Sequence, residues 1–169
     1  MLKKINNLSS FFEECYRRIS VREYAQIIHL SPPTASKLLQ EYHQEGLLKK
    51  EEYRNFLFFY ANKNSKLFID LGRIYWFKKL ETLVAYLERD LTSPSIILFG
   101  SLAKGEVKQD SDIDLAIFAQ KKAINLEEFE KKLKRKIQLF WFPSLKNIKS
   151  KELANNIING YTLTGRLSL

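Results

Sequence analysis

Apolar positions change period along the chain. Between residues 3 and 19 Ile5, Leu8, Phe12, Cys15 and Ile19 fall on one helical stripe. Ser20 with Glu23 three residues later reads as a capping box, opening a helix over Val21–His29 with Val21, Tyr24, Ala25 and Ile28 on one side. Ser31-Pro32-Pro33 starts another helix, which carries Ala35, Leu38, Leu39 and Tyr42 to about Glu45 and ends at Gly46. Leu47–Lys50 and Phe56–Tyr60, separated by a polar turn over Glu51–Asn55, predict a hairpin. Residues 65–91 form one long helical pattern with Leu67, Leu71, Ile74, Phe77, Leu80, Val84, Leu87 and Leu91 at near-heptad spacing. That stripe fits core packing within one chain or pairing with its copy in a homodimer. Thr92-Ser93-Pro94-Ser95 punctuates the chain.

Beyond it two apolar runs, Ile96–Phe99 and Ile113–Phe118, read as buried strands. A third, Ile137–Phe142, is a further candidate, and Leu153–Leu163 reads as a helix closed by Gly160. The expected class is α+β, divided as 1–64, a connecting helix 65–92, and 93–169.

The first run ends in Gly100-Ser101, where backbone N–H groups can approach a phosphate closely. Asp112 and Asp114 stand two apart at the entry of the second run. On a strand they share a face and can chelate one hard cation, Mg2+ being the expected one. A phosphate cradle beside paired carboxylates suits metal-assisted phosphoryl or nucleotidyl transfer.

Gly100-Ser101-Leu102-Ala103-Lys104-Gly105, followed by Ser111-Asp112-Ile113-Asp114-Leu115, resembles the motif of minimal nucleotidyltransferases of the DNA polymerase β superfamily. The resemblance spans about residues 93–169. It implies a small mixed sheet with helices on one side and a nucleoside triphosphate, ATP the expected one, held through magnesium. It makes Asp112 and Asp114 the catalytic and metal-binding pair, with Gly100, Ser101, Lys104 and Ser111 as nucleotide-binding residues. The family includes antitoxins paired with HEPN-domain toxins, some of which transfer AMP to a tyrosine of the toxin. A toxin or another protein hydroxyl is therefore the implied acceptor.

The family's third carboxylate, from a later strand, has no counterpart here. No Asp or Glu lies between Glu130 and Glu152, and Gln138 stands where an acid is expected. Glu106 or Asp110 could replace it; otherwise the domain binds nucleotide and catalyses poorly. Alternation puts Gln138, Phe140 and Phe142 on one face without saying which face meets the aspartates.

The N-terminal pattern over about 8–62 resembles winged helix-turn-helix regulators. That implies DNA binding, with Thr34, Ser36, Lys37 and Gln40 outward on the recognition helix and Lys49, Lys50 and Arg54 on the wing. A transcriptional regulator with a degenerate transferase domain is the alternative function.

Charge adds a polyanionic partner to this picture. The formal net charge is +9, and residues 121–151 hold ten Lys or Arg against Glu127, Glu128 and Glu130. The module before residue 64 is nearly balanced, ten bases from Lys3 to Lys63 against seven acids. No apolar run approaches a membrane span, and the basic start lacks the apolar stretch of a signal peptide. The lone Cys15 excludes an internal disulfide and fits a reducing cytoplasm; His29 and His43 have no partners at zinc spacing.

Overall fold

The computed structural model describes residues 2–167. The chain divides into two compact units, Met1–Tyr75 with Gly105–Gln109, and Trp76–Lys104 with Asp110–Leu169. The division falls inside the long helix.

The first unit runs α1 (Leu2–Asn7), α2 (Ser9–Glu13), β1 (Ile19–Ser20), α3 (Val21–Ile27), α4 (Pro32–Gln44), β2 (Leu48–Tyr53) and β3 (Phe56–Ala61). Helix structure stops at Glu13 instead of reaching Ile19. Glu14 is extended, and Ile19 and Ser20 instead pair with Phe59 and Phe58. The N–H of the buried Cys15 donates to Val107 O at 2.8 Å. Ser20 caps α3 in a complete capping box with Glu23. Ser31 makes no cap bond; its hydroxyl meets that of Thr34 at 2.8 Å. Gly46 lies in the left-handed region after α4, with φ +72°.

The hairpin turn is tighter than the polar pattern suggests. β2 extends to Tyr53, and Arg54-Asn55 alone make the turn, both with positive φ. That geometry matches the twist of paired strands and tolerates Asn. Three strands form a sheet in the order β1-β3-β2. Helices α2 and α3 pack on β3 and α4 on β2, and Leu8, Phe11, Phe12, Tyr24 and Leu39 are all at most 1% exposed.

Helix α5 (Lys66–Asp90) carries most of its predicted stripe into the interior. Leu71, Leu80, Val84 and Leu87 are buried within this chain, whereas Leu67 and Phe77 remain exposed.

The second unit continues with β4 (Ser95–Phe99), α6 (Gly100–Lys104), β5 (Ile113–Phe118), α7 (Glu127–Leu133), β6 (Ile137–Phe142), a 3-10 turn (Leu145–Asn147), α8 (Lys151–Ile158) and β7 (Tyr161–Thr164). The sheet order is β6-β5-β4-β7; β5 and β6 are parallel and the other pairs antiparallel. Ile97, Phe99 and Ala116 pack with Ile148 and Ile157 on one face. Ile96, Leu98, Leu115 and Ile117 alternate onto the other and are all 0% exposed. Side chains on both faces of the sheet are therefore buried.

The tail is the largest departure from the sequence pattern. The helix ends at Ile158, and Tyr161–Thr164 form a strand against β4. Gly160 permits this return: a Cβ there would lie 2.6 Å from Leu98 O. The short Tyr-Thr-Leu-Thr run that follows has β-forming composition.

Candidate nucleotide site

All five residues of β4 are buried, so the strand delivers its end, Phe99-Gly100, to a fixed place. Gly100 takes φ +71°, a region L side chains avoid, and starts α6. A Cβ at this position would overlap the Asp114 carboxylate. Register explains the closeness, because Phe99 is directly opposite Asp114. The turn after β4 and the carboxylate on β5 are thus pressed together by strand pairing, and only glycine leaves room.

Asp112 precedes β5 and Asp114 is its second residue. Burial, and then the neighbouring Asp112 charge, push the Asp114 carboxyl above the usual carboxylate range. A cation placed between them would relieve both penalties.

The orientation of β6 resolves the ambiguity in its alternation. Gln138 lies opposite Asp114 across the parallel pair, and its Nε2 donates to Asp112 Oδ2 at 2.5 Å. Gln138 therefore belongs to the carboxylate face, with Phe140 and Phe142 following it into the core under α8. The amide occupies a place where an acid would complete a triad.

Glu106 counts with the first unit and Asp110 with the second. Among the described residues, no three His, Cys, Asp or Glu are gathered to hold a metal. Both residues are exposed. Asp112 and Asp114 stand as a pair, a donor set that fits a single hard cation.

Ser101 and Ser111 are half-buried, and Lys104 is exposed at the end of α6. One residue the motif does not mention also shapes the site. Arg135 donates to Ser111 O at 2.6 Å and lies over the Trp76 ring, 5.4 Å from its centre. Ile113 N–H donates to Lys136 O at 2.8 Å. The Lys134-Arg135-Lys136 turn thereby fixes the backbone that aims Asp112. The only sequence signal was three consecutive cations before a strand. Part of the basic run is internally committed: Lys136 pairs with Glu130 at 3.6 Å, and Lys122 with Asp90 at 3.1 Å.

In the first unit Thr34, Lys37, Lys49, Lys50 and Arg54 are exposed, while Ser36 and Gln40 are half-buried. Thr34, Ser36, Lys37 and Gln40 lie on α4, Lys49 and Lys50 on β2, and Arg54 in the hairpin turn.

The sequence pattern of the Polymerase beta, Nucleotidyltransferase family matches residues 81–166, just over half of the chain. The chain belongs to this family. The matched span contains Gly100, Asp112, Asp114 and Gln138. Two solved structures are similar to it. One is a toxin–antitoxin crystallised with AMP-PNP, 23% identical, with 51% of this chain covering 73% of that one at a TM-score of 0.40. The other is a mutant of the toxin–antitoxin MntA-HpeT, 20% identical, with the same coverage and TM-score. No curated protein matches the chain. Among its described residues no helix is long and apolar enough to cross a membrane.

Proposed function

We propose that this nucleotidyltransferase binds a magnesium–nucleoside triphosphate, ATP being the candidate, and that its N-terminal unit binds DNA. The observation that carries the first half is the fit of Gly100 against Asp114, which sets the turn that starts α6 directly beside a carboxylate pair. Asp112 and Asp114 would hold the ion, which neutralises phosphate charge when bound. Gly100 and Ser101 would receive phosphates, Lys104 would offset their charge, and Ser111 would line the nucleotide.

Transfer of AMP to a protein hydroxyl is the activity that the motif resemblance implies, in an antitoxin-like setting with a HEPN-type toxin as acceptor. Gln138 argues that such transfer is slow. An amide neither deprotonates an attacking hydroxyl nor adds negative charge for a second ion. That same contact favours a second reading, a transcriptional regulator whose transferase domain senses nucleotide or docks a partner.

DNA binding rests on element order. Two short helices, a strand, two helices and a hairpin with a three-stranded sheet suit a winged helix-turn-helix. In it α4 would enter a major groove and Lys49, Lys50 and Arg54 would reach the backbone.

Calorimetry on the Asp112→Asn, Asp114→Asn double variant tests the nucleotide site. Magnesium-dependent ATP binding should disappear while the circular dichroism spectrum is unchanged. Binding equal to that of the wild type would remove both aspartates from the site.

A further inference from the structure

The sheet of the first unit has two unlike faces. Ile19, Leu48, Phe59 and Ala61 point inward and are buried. The intervening residues form the opposite face, because neighbours alternate along a strand and direct partners share a side. Register sets Ser20 and Glu51 beside Phe58, Lys49 beside Tyr60, and Tyr53 beside Phe56. Phe56, Phe58 and Tyr60 thus form one row at two-residue intervals, about 6.7 Å apart. At the hairpin end Tyr53 and Phe56 are 55% and 59% exposed.

Cations border the rings along this row. The Arg54 guanidinium lies 5.2 Å from the centre of the Tyr53 ring, and that of Arg18 lies 5.9 Å from Tyr60. The Lys63 ammonium is 3.9 Å from the centre of the exposed Tyr16 ring, and Lys108 reaches the same ring at 5.8 Å. A hollow of about 260 Å³ opens among Tyr16, Arg18, Lys49, Tyr60 and Lys63. Glu51, paired with Arg18 at 3.0 Å, is the acid that the register sets on this face.

Each half of this pattern narrows the partner. An aromatic row that is half-buried at Phe58 and Tyr60 and open to water at Phe56 and Tyr53 marks a binding surface. Surrounding cations select a polyanion. A duplex hides the faces of its bases, so its backbone would use the cations and leave the rings idle. Unpaired bases use both, since rings stack on them irrespective of sequence while cations follow the phosphates. We propose that the outward face of the β1-β3-β2 sheet is a platform for single-stranded nucleic acid. It goes beyond duplex recognition by α4, whose Thr34, Ser36, Lys37 and Gln40 do not belong to this face, and gives the cations Lys49 and Arg54 a second ligand.

Fluorescence anisotropy with the full chain and labelled oligo(dT), oligo(rU) and a duplex hairpin at low salt tests it. Single strands should bind, with a log–log salt slope of about −0.7 per phosphate neutralised. Tyr53→Ser with Phe56→Ser, both largely exposed and so harmless to the core, should weaken single-strand binding about tenfold or more. Tyr60→Ser should do the same, whereas Lys37→Ala should leave it unchanged. Preference between dT and rU would identify DNA or RNA as the strand. No single-strand binding, ring variants with undiminished affinity, or a sedimenting dimer dissolved by the same variants would overturn the proposal.

Discussion

Replacing Gly100 by alanine strains the backbone and crowds the site at once. With φ +71° an L residue pays about 1–2 kcal/mol for the left-handed region. The new Cβ would also overlap the Asp114 carboxylate, with the Asp114 Cγ only 3.2 Å away. Since β4 and β5 are locked by their ladder, the side chain of Asp114 must swing aside. Gly46 provides an internal control. Its φ is +72°, yet a Cβ there meets nothing within 4 Å. Gly46→Ala should therefore cost the backbone strain alone, about 1–2 kcal/mol, or roughly 2–8 °C in melting midpoint. Gly100→Ala should cost at least ~1 kcal/mol more, several degrees further. It should also weaken magnesium–ATP affinity about tenfold or more, equivalent to ~1.4 kcal/mol, while Gly46→Ala leaves it unchanged. Thermal melts by circular dichroism and titration calorimetry read the two effects. If both variants melt alike and bind nucleotide like the wild type, the packing of Gly100 on Asp114 has no bearing on the site.

Asp114 is held above its usual carboxylate range by burial and by Asp112, so its charged form costs stability. That cost is present above the folded pKa and is relieved as pH falls through it. Asp114→Asn should accordingly melt higher than the wild type at neutral pH, with the gap closing under acid; equal midpoints at neutral pH would contradict this. Gln138→Asp should strengthen magnesium-dependent nucleotide binding about tenfold, the worth of one modest charge interaction, and raise any AMP transfer. In chelator the same variant should melt lower, because a third carboxylate then faces Asp112 without a cation. Brisk AMP transfer by the wild type would refute the role given to Gln138. Lys37→Ala should weaken binding to the gene's own upstream DNA and lower the salt slope by about one; gel retardation unaffected by the change would place Lys37 off the interface.

Local chemistry made much of this legible. Ser20-x-x-Glu23, Ser31-Pro32-Pro33 and Gly46 act through neighbours a few residues away, and α3 and α4 appear where they point. The two central strands were visible because continuous apolar runs need burial on both faces. Asp112 and Asp114 could be paired because a period of two is a local property. The rest depended on distant partners. Nothing near Gln138 says which neighbour β6 acquires, and its orientation is set by pairing with β5. Tyr161–Thr164 had an apolar pattern compatible with either structure; the open edge of β4 decided it. Leu8 and Cys15 continue a helical stripe, yet the stretch after Glu13 is claimed by the sheet and by Val107. Arg135 became visible only through the carbonyl of Ser111, 24 residues earlier in sequence.

The loop Gly105–Gln109 counts with the first unit, although it joins α6 to the Asp112–Asp114 segment of the second. Val107 is 1% exposed, and its carbonyl accepts from the amide of Cys15, about ninety residues earlier in the chain. Closing so long a loop costs entropy, and its contacts are with Cys15 and Ile69, far away in sequence. The stretch between α6 and the carboxylates thus takes its shape against residues of the N-terminal unit. A fragment starting at Trp76 would carry this stretch without those residues and leave Val107 bare. The two units are separate in contact density but share one motif, so a substitution beneath Val107 can alter a site made entirely of residues that it never touches.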